Sequence, residues 1–129
     1  MKSRTKTWIT LAQNDLALAS DLLKKKGRYY YAAHFCHQAI EKMMKAVVAE
    51  RTNAIPLQTH NFKLLLDQSG LKDVPIEIKE FLIGMTPHYI GTKYPEDITK
   101  LYKQYTKVYV RNLYEKTVGV FQWLENSLK

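Results

Sequence analysis

Polar side chains that could bind an anion or move a proton are concentrated at residues 29–50, YYYAAHFCHQAIEKMMKAVVAE. Glu41 and Lys45 stand four apart with the acid first, the favourable order for an ion pair on one helix face. A buried charge must find a partner or lose several kcal/mol. We therefore expect structural ion pairing, with ligand binding as the alternative, along a polar seam of four side chains. The polar seam consists of Gln38, Glu41, Lys42 and Lys45.

A loop rich in turn residues, 92–97 with the sequence TKYPED, carries a second group of polar side chains. We expect the polar seam to contact this loop. Lys93, Tyr94, Asp97 and, farther along the chain, Arg111 are further candidates for ligand or partner contact. Lys93, Tyr94 and Arg111 are the first candidates for binding an anion. In the alternative interpretation all three are structural, and Lys93 and Tyr94 fix the loop to the rest of the protein.

The histidines and the single cysteine do not have the spacing of a metal site or a nucleophile. His34 and His37 lie three apart with no third ligand nearby, so solvated or hydrogen-bonded imidazoles are favoured over a zinc site. His60 precedes a predicted helix, where it can bridge helix ends or contact a ligand. Cys36 falls among apolar residues, which favours a buried thiol over a catalytic one. We expect no catalytic residue, metal or cofactor.

The stretch that carries these groups is predicted to be the central helix of a bundle. It contains neither Gly nor Pro and is rich in residues that propagate a helix at little cost. His34, His37 and the polar seam are predicted to lie off its apolar face, with the seam beside the core. Apolar residues recur at helical spacing to form that face: Ala32, Phe35, Cys36, Ala39, Ile40, Met43 and Val47.

The remaining pattern is also helical. A first helix is predicted at residues 5–26, and the short link Gly27 and Arg28 forces the central helix to return antiparallel. Asn61 or Thr59 can cap a third helix, and the last helix is long enough that we expect a break near Tyr105. The fold class is therefore all-α, an up-and-down bundle of four to five helices. The later helices are predicted at residues 62–68, 74–85 and 98–129.

Length and composition predict one domain, residues 1–129, in a reducing compartment. A single cysteine excludes an internal disulfide, and no apolar run approaches the roughly 18 residues of a membrane span. No signal peptide is visible, so we expect a cytoplasmic protein that does not contact membrane. The net charge of +8 suits nucleic acid, nucleotides or an acidic partner. A solvated basic surface is the alternative, because the charges are spread along the sequence.

Nine tyrosines exceed what one core is expected to use. The consecutive residues 29–31 cannot all face one core, so at least one should face a groove or a partner. Tyr102, Tyr105 and Tyr109 recur at helical spacing, and exposed aromatic residues of this kind predict a homodimer. Tyrosines interleaved with Lys and Arg also suit base stacking.

Four motifs in order resemble the HEPN family, the domain named for higher eukaryotes and prokaryotes nucleotide-binding. The central stretch resembles the family's second helix, with its Gln-Ala-x-Glu-Lys core followed by Lys-Ala. Trp8, with Ala12, Asp15 and Leu16, resembles the first helix. The Thr-His pair at 59–60 resembles the Thr-His-x-Leu element, and TKYPED resembles an Arg-Tyr-Pro-Asp loop with lysine in place of arginine. The core residues are Gln38, Ala39, Glu41, Lys42, Lys45 and Ala46.

The resemblance implies a helical bundle that is usually a homodimer. Free-standing members often bind a minimal nucleotidyltransferase protein, some as toxin and antitoxin. Certain branches are ribonucleases that use an Arg-x(4–6)-His pair, but here no histidine follows Arg111, and Arg28 with His34 lies in the wrong helix. The resemblance thus implies a non-catalytic module that dimerises, docks a nucleotidyltransferase and binds nucleotide or RNA. A ribonuclease toxin and a plain nucleotide-binding protein are the alternatives.

Overall fold

The computed structural model describes residues 1–85, 88 and 98–129. Within these residues the regular secondary structure is helical, and no strand is present. The all-α prediction is confirmed. The predicted C-terminal helix is interrupted at Tyr105 and Thr106, near the expected break, so five predicted helices become six. The helices are α1 Ser3–Leu23, α2 Tyr29–Arg51, α3 Phe62–Ser69, α4 Ile76–Ile83, α5 Ile98–Gln104 and α6 Lys107–Asn126.

Helix α1 ends at Leu23, three residues earlier than the sequence predicts. The chain leaves helical geometry through backbone bonds from residues 24 and 25 to carbonyls three residues back, a common way for a helix end to tighten. Gly27 then adopts φ 81°, a left-handed conformation that glycine reaches without strain. The three lysines at 24–26 therefore lie in a turn, exposed to solvent.

Helix α2 lies at the centre, against α1, α3, α5 and α6. It runs antiparallel to α1, because the start of α1 meets the end of α2. The backbone N–H of Lys2 and the hydroxyl of Thr5 donate to Glu50 Oε1 at 3.0 and 2.9 Å. The guanidinium of Arg51 donates to the carbonyl of Ser69 at 3.2 Å, which places the end of α3 at this same end of the bundle.

The buried face of α2 is wider than the predicted apolar stripe. His37 and Glu41, which the spacing places off that stripe, are 0% and 5% exposed. The apolar stripe alone does not account for this burial, because α2 has neighbours on several sides and α3 covers a face that the stripe leaves out. The ring of Phe62 on α3 stacks on His37 with 4.4 Å between centroids.

Side-chain caps fix the starts of two of the later helices, α3 and α6. The side chain of Asn61 accepts hydrogen bonds from the N–H groups of Lys63 and Leu64, which makes Asn61 the N-cap of α3. Thr106 accepts from the N–H of Tyr109 and caps α6 in the same way. The break between α5 and α6 is therefore a capped helix start and not a bend within one helix.

Candidate functional site

Glu41 is the centre of a charged cluster in the middle of the bundle. Its Oε1 lies 2.6 Å from Nδ1 of His60 and 4.0 Å from Nδ1 of His37. Its Oε2 accepts a hydrogen bond from Lys45 Nζ at 3.2 Å. The Lys45 ammonium also lies 5.5 Å from the ring centroid of Trp8, within range of a cation–π interaction. This Glu41 cluster joins α1, α2 and the segment before α3.

The other members of the polar seam lie apart from this cluster. Lys42 Nζ donates to the Asp15 carboxylate and ties α2 to α1. Gln38 is half-buried. The predicted contact of the seam with the loop at 92–97 lies outside the described residues, as do Lys93, Tyr94 and Asp97. Arg111 is exposed on α6.

Burial keeps the central histidine and the cysteine uncharged at neutral pH. Burial lowers the pKa of His37 to about 3 and lowers that of His34 as well. Cys36 is buried, as predicted. Burial raises the pKa of its thiol to about 12, so Cys36 is a poor nucleophile. Within the described residues, no three His, Cys, Asp or Glu side chains converge in a way that could hold a metal ion.

A buried histidine between two tyrosines is a feature that the sequence analysis missed. His88 Nδ1 lies 3.1 Å from the hydroxyl of Tyr105, and its Nε2 lies 3.5 Å from that of Tyr109. Burial raises the pKa of both phenols. Helical spacing shows that the two tyrosines share a face, but it gives no sign of a partner 17 or more residues earlier.

An open pocket of about 390 Å³ lies where the α1–α2 link meets α5. The ring of Tyr30 lies beside it, 5.8 Å from that of Tyr102. The expectation that one of the residues 29–31 faces a groove is confirmed, because Tyr29 lines the pocket. The lining residues are Lys26, Gly27, Tyr29, Tyr102, Tyr105 and Thr106. We call this pocket, together with Tyr30 and the exposed cations of the α1–α2 link, the tyrosine end.

A second groove, of about 520 Å³, runs between α4 and α6. Its floor is apolar, its α4 rim is acidic and its α6 rim carries a lysine. Two isoleucines of α4, Ile76 and Ile83, are exposed nearby. The groove is lined by Glu77, Ile78, Glu80, Phe81, Lys116, Gly119 and Val120. We call it the α4–α6 groove. In the described part of the chain, none of the helices has the length and apolarity to cross a bilayer.

Comparison with known proteins identifies the family. The structure is similar to that of TT1696 from Thermus thermophilus, with TM-score 0.80 and 22% identity over 97% of this chain and 98% of that one. It is also similar to ST0689, an archaeal HEPN homologue, with TM-score 0.76 and 23% identity over 100% of both chains. No curated protein matches the sequence significantly. The family model of the HEPN domain matches residues 5–127, and the chain therefore belongs to the HEPN domain family.

Proposed function

We propose that this chain is a non-catalytic, cytoplasmic helical module that forms a homodimer and docks a minimal nucleotidyltransferase, and that it binds nucleotide or RNA. The observation that carries the proposal is that the charged side chains at the centre of the bundle are already paired, so that the surfaces available for binding lie elsewhere. Glu41, Lys42 and Lys45 are engaged in ion pairs inside the bundle, whereas apolar and charged surface lies open elsewhere. Free-standing family members, which the motifs resemble, often bind such enzymes, and this supports the docking role.

We assign the second copy of the chain to the α4–α6 groove and not to the tyrosines from which the sequence predicts a homodimer, because Tyr105 is only 3% exposed and lies against His88. Glu77 and Glu80 form one rim and Lys116 the other. A two-fold axis across the groove sets the acids of each copy against the lysine of its partner, so the charges are self-complementary. The apolar floor between the rims supplies the area that association removes from water.

Gly119 supports the same assignment. It lies within α6, and a Cβ built there would meet nothing within 4 Å. No contact in the described part of the chain therefore demands glycine, although glycine costs a helix about 1 kcal/mol relative to alanine. A second backbone packed closely against α6 accounts for the absent side chain.

We expect Gly119→Ala to stabilise the monomer and weaken the dimer. The free energy of unfolding of the monomer should rise by about 1 kcal/mol, and Gly119→Gln should abolish dimerisation by filling the floor. The measurements are thermal unfolding and light scattering across a range of concentrations. Ala17→Gln, at an exposed position on α1, is the matched control. If the Gly119→Gln protein dimerises like the wild type, the α4–α6 groove is not the dimer interface.

The ribonuclease alternative gains no support from the described residues. Metal-independent RNA cleavage needs a group that moves the proton of the attacking or leaving oxygen. Arg111 is exposed on α6, and no histidine follows it in the sequence. His60, the histidine of the Thr-His element, is held by the buried carboxylate of Glu41.

A further inference from the structure

The net charge of this protein originates in two segments. Residues 22–40 and 98–114 contain no Asp or Glu. Removing their eight cations from the total of 20 leaves twelve, which the twelve acids of the chain balance. The rest of the chain is therefore neutral, and the whole excess of +8 belongs to these segments. The eight cations are Lys24, Lys25, Lys26, Arg28, Lys100, Lys103, Lys107 and Arg111.

The fold brings the two segments together at the tyrosine end. The pocket there is lined by three residues from each segment, and beside it the ring of Tyr30 lies 5.8 Å from that of Tyr102. All eight cations are exposed. The pocket therefore has exposed cations next to its lining in both segments, because Lys24, Lys25 and Arg28 flank Lys26 and Gly27, and Lys103 follows Tyr102.

Aromatic rings are presented to solvent on the same surface. Tyr31, Tyr102 and Tyr109 are 40%, 46% and 43% exposed. Unstacked bases stack on such rings while lysines follow the phosphates, which is how proteins bind single strands without sequence preference. A duplex keeps its bases stacked on one another, so their faces are not available to an exposed tyrosine ring. The combination of an aromatic pocket and a basic rim therefore selects single strands over duplexes.

We propose that the tyrosine end binds single-stranded nucleic acid, with one base in the pocket against Tyr102 and the phosphates beside Lys26 and Lys103. This inference rests on the nucleotide- or RNA-binding part of the proposed function and gives it a location and a ligand class. The site lies at the α1–α2 link and α5, whereas the polar seam is inside the bundle.

The test is fluorescence anisotropy with a labelled oligoadenylate of about 12 nucleotides, as RNA and as DNA, a length within the range of single-strand sites. Binding of either should weaken with salt by about 0.7 log unit per tenfold rise for each phosphate contacted. Tyr102→Ala should weaken binding at least about fivefold, and Tyr102→Phe should retain it. Lys26→Gln and Lys103→Gln should each weaken binding, whereas Lys72→Gln, an exposed lysine in the α3–α4 link, should not. The RNA should remain intact on a gel, with or without chelator.

Three results would overturn the inference. These are absence of salt-sensitive binding, equal affinity for a duplex, and equal losses in Lys72→Gln and Lys103→Gln. Light scattering on the same samples separates this failure from that of the proposed dimer. A dimer without affinity for single strands rejects the site alone, and a monomer that binds them supports the site while rejecting the dimer.

Discussion

Replacing Glu41 with alanine should lower the free energy of unfolding by about 3 kcal/mol or more. The substitution removes a carboxylate that is 5% exposed and leaves Lys45, whose side chain is 12% exposed, without its charge partner. Breaking a buried pair from one side typically has an effect of this size, because the remaining charge is still desolvated. Urea unfolding at neutral pH measures the loss.

The chain contains a matched control for this experiment. Lys63 and Asp67 on α3 have the same spacing of four residues and the same 3.2 Å separation, but their side chains are 62% and 64% exposed. Asp67→Ala should therefore change the free energy of unfolding by less than about 0.5 kcal/mol. Glu41→Gln, which keeps the size and removes the charge, should fall between the two. Equal small losses at Glu41 and Asp67 would show that the Glu41 cluster does not stabilise the fold.

Acidification should destabilise the protein through His37 by about 1.4 kcal/mol per pH unit between pH about 6.5 and about 3. Burial lowers the pKa of His37 to about 3, and a backbone hydrogen bond with His60 opposes this with a smaller effect. In that window the unfolded chain binds a proton that the folded chain does not, so the free energy of unfolding decreases as the pH is lowered. Above the unfolded pKa of about 6.5 the His37 contribution is complete and constant.

His37→Phe is the variant that isolates this effect. Phenylalanine keeps an aromatic ring against Phe62 and cannot titrate. The unfolding free energy of the wild type minus that of the variant should therefore decrease as the pH falls through the window, because only the wild type loses the His37 contribution. His34, whose pKa is also lowered by burial, is present in both proteins. Parallel stability curves would contradict a neutral, buried His37.

The helices could be predicted because their signals are local. Periodicity, the cap at Asn61 and the excessive length of the last helical stretch each depend on a few neighbouring residues. The neighbours of α2 are not local in this sense. The ring that covers His37 comes from Phe62, and the partner of Lys42 is Asp15, 27 residues earlier. Both partners lie in recognisable motifs, but the spacing within a motif does not give contacts between motifs.

The two candidate surfaces, the tyrosine end and the α4–α6 groove, also depend on contacts between residues that are far apart in the sequence. The sequence shows that the charge excess lies in residues 22–40 and 98–114, yet only the fold shows that these two segments meet at one pocket. The α4–α6 groove depends on the meeting of two helices whose facing residues, Phe81 and Gly119, are 38 positions apart. The placement of the polar seam beside the apolar stripe predicts ion pairing, and three of its four residues form ion pairs within the bundle.

Sedimentation velocity of the purified protein at micromolar concentration, alone and mixed with a minimal nucleotidyltransferase from the same genome, tests the proposed module most directly. The account predicts a species of twice the 15.1 kDa chain mass in the first sample and a heavier complex in the second. A 15.1 kDa species at every concentration, unchanged by the added enzyme, would contradict it.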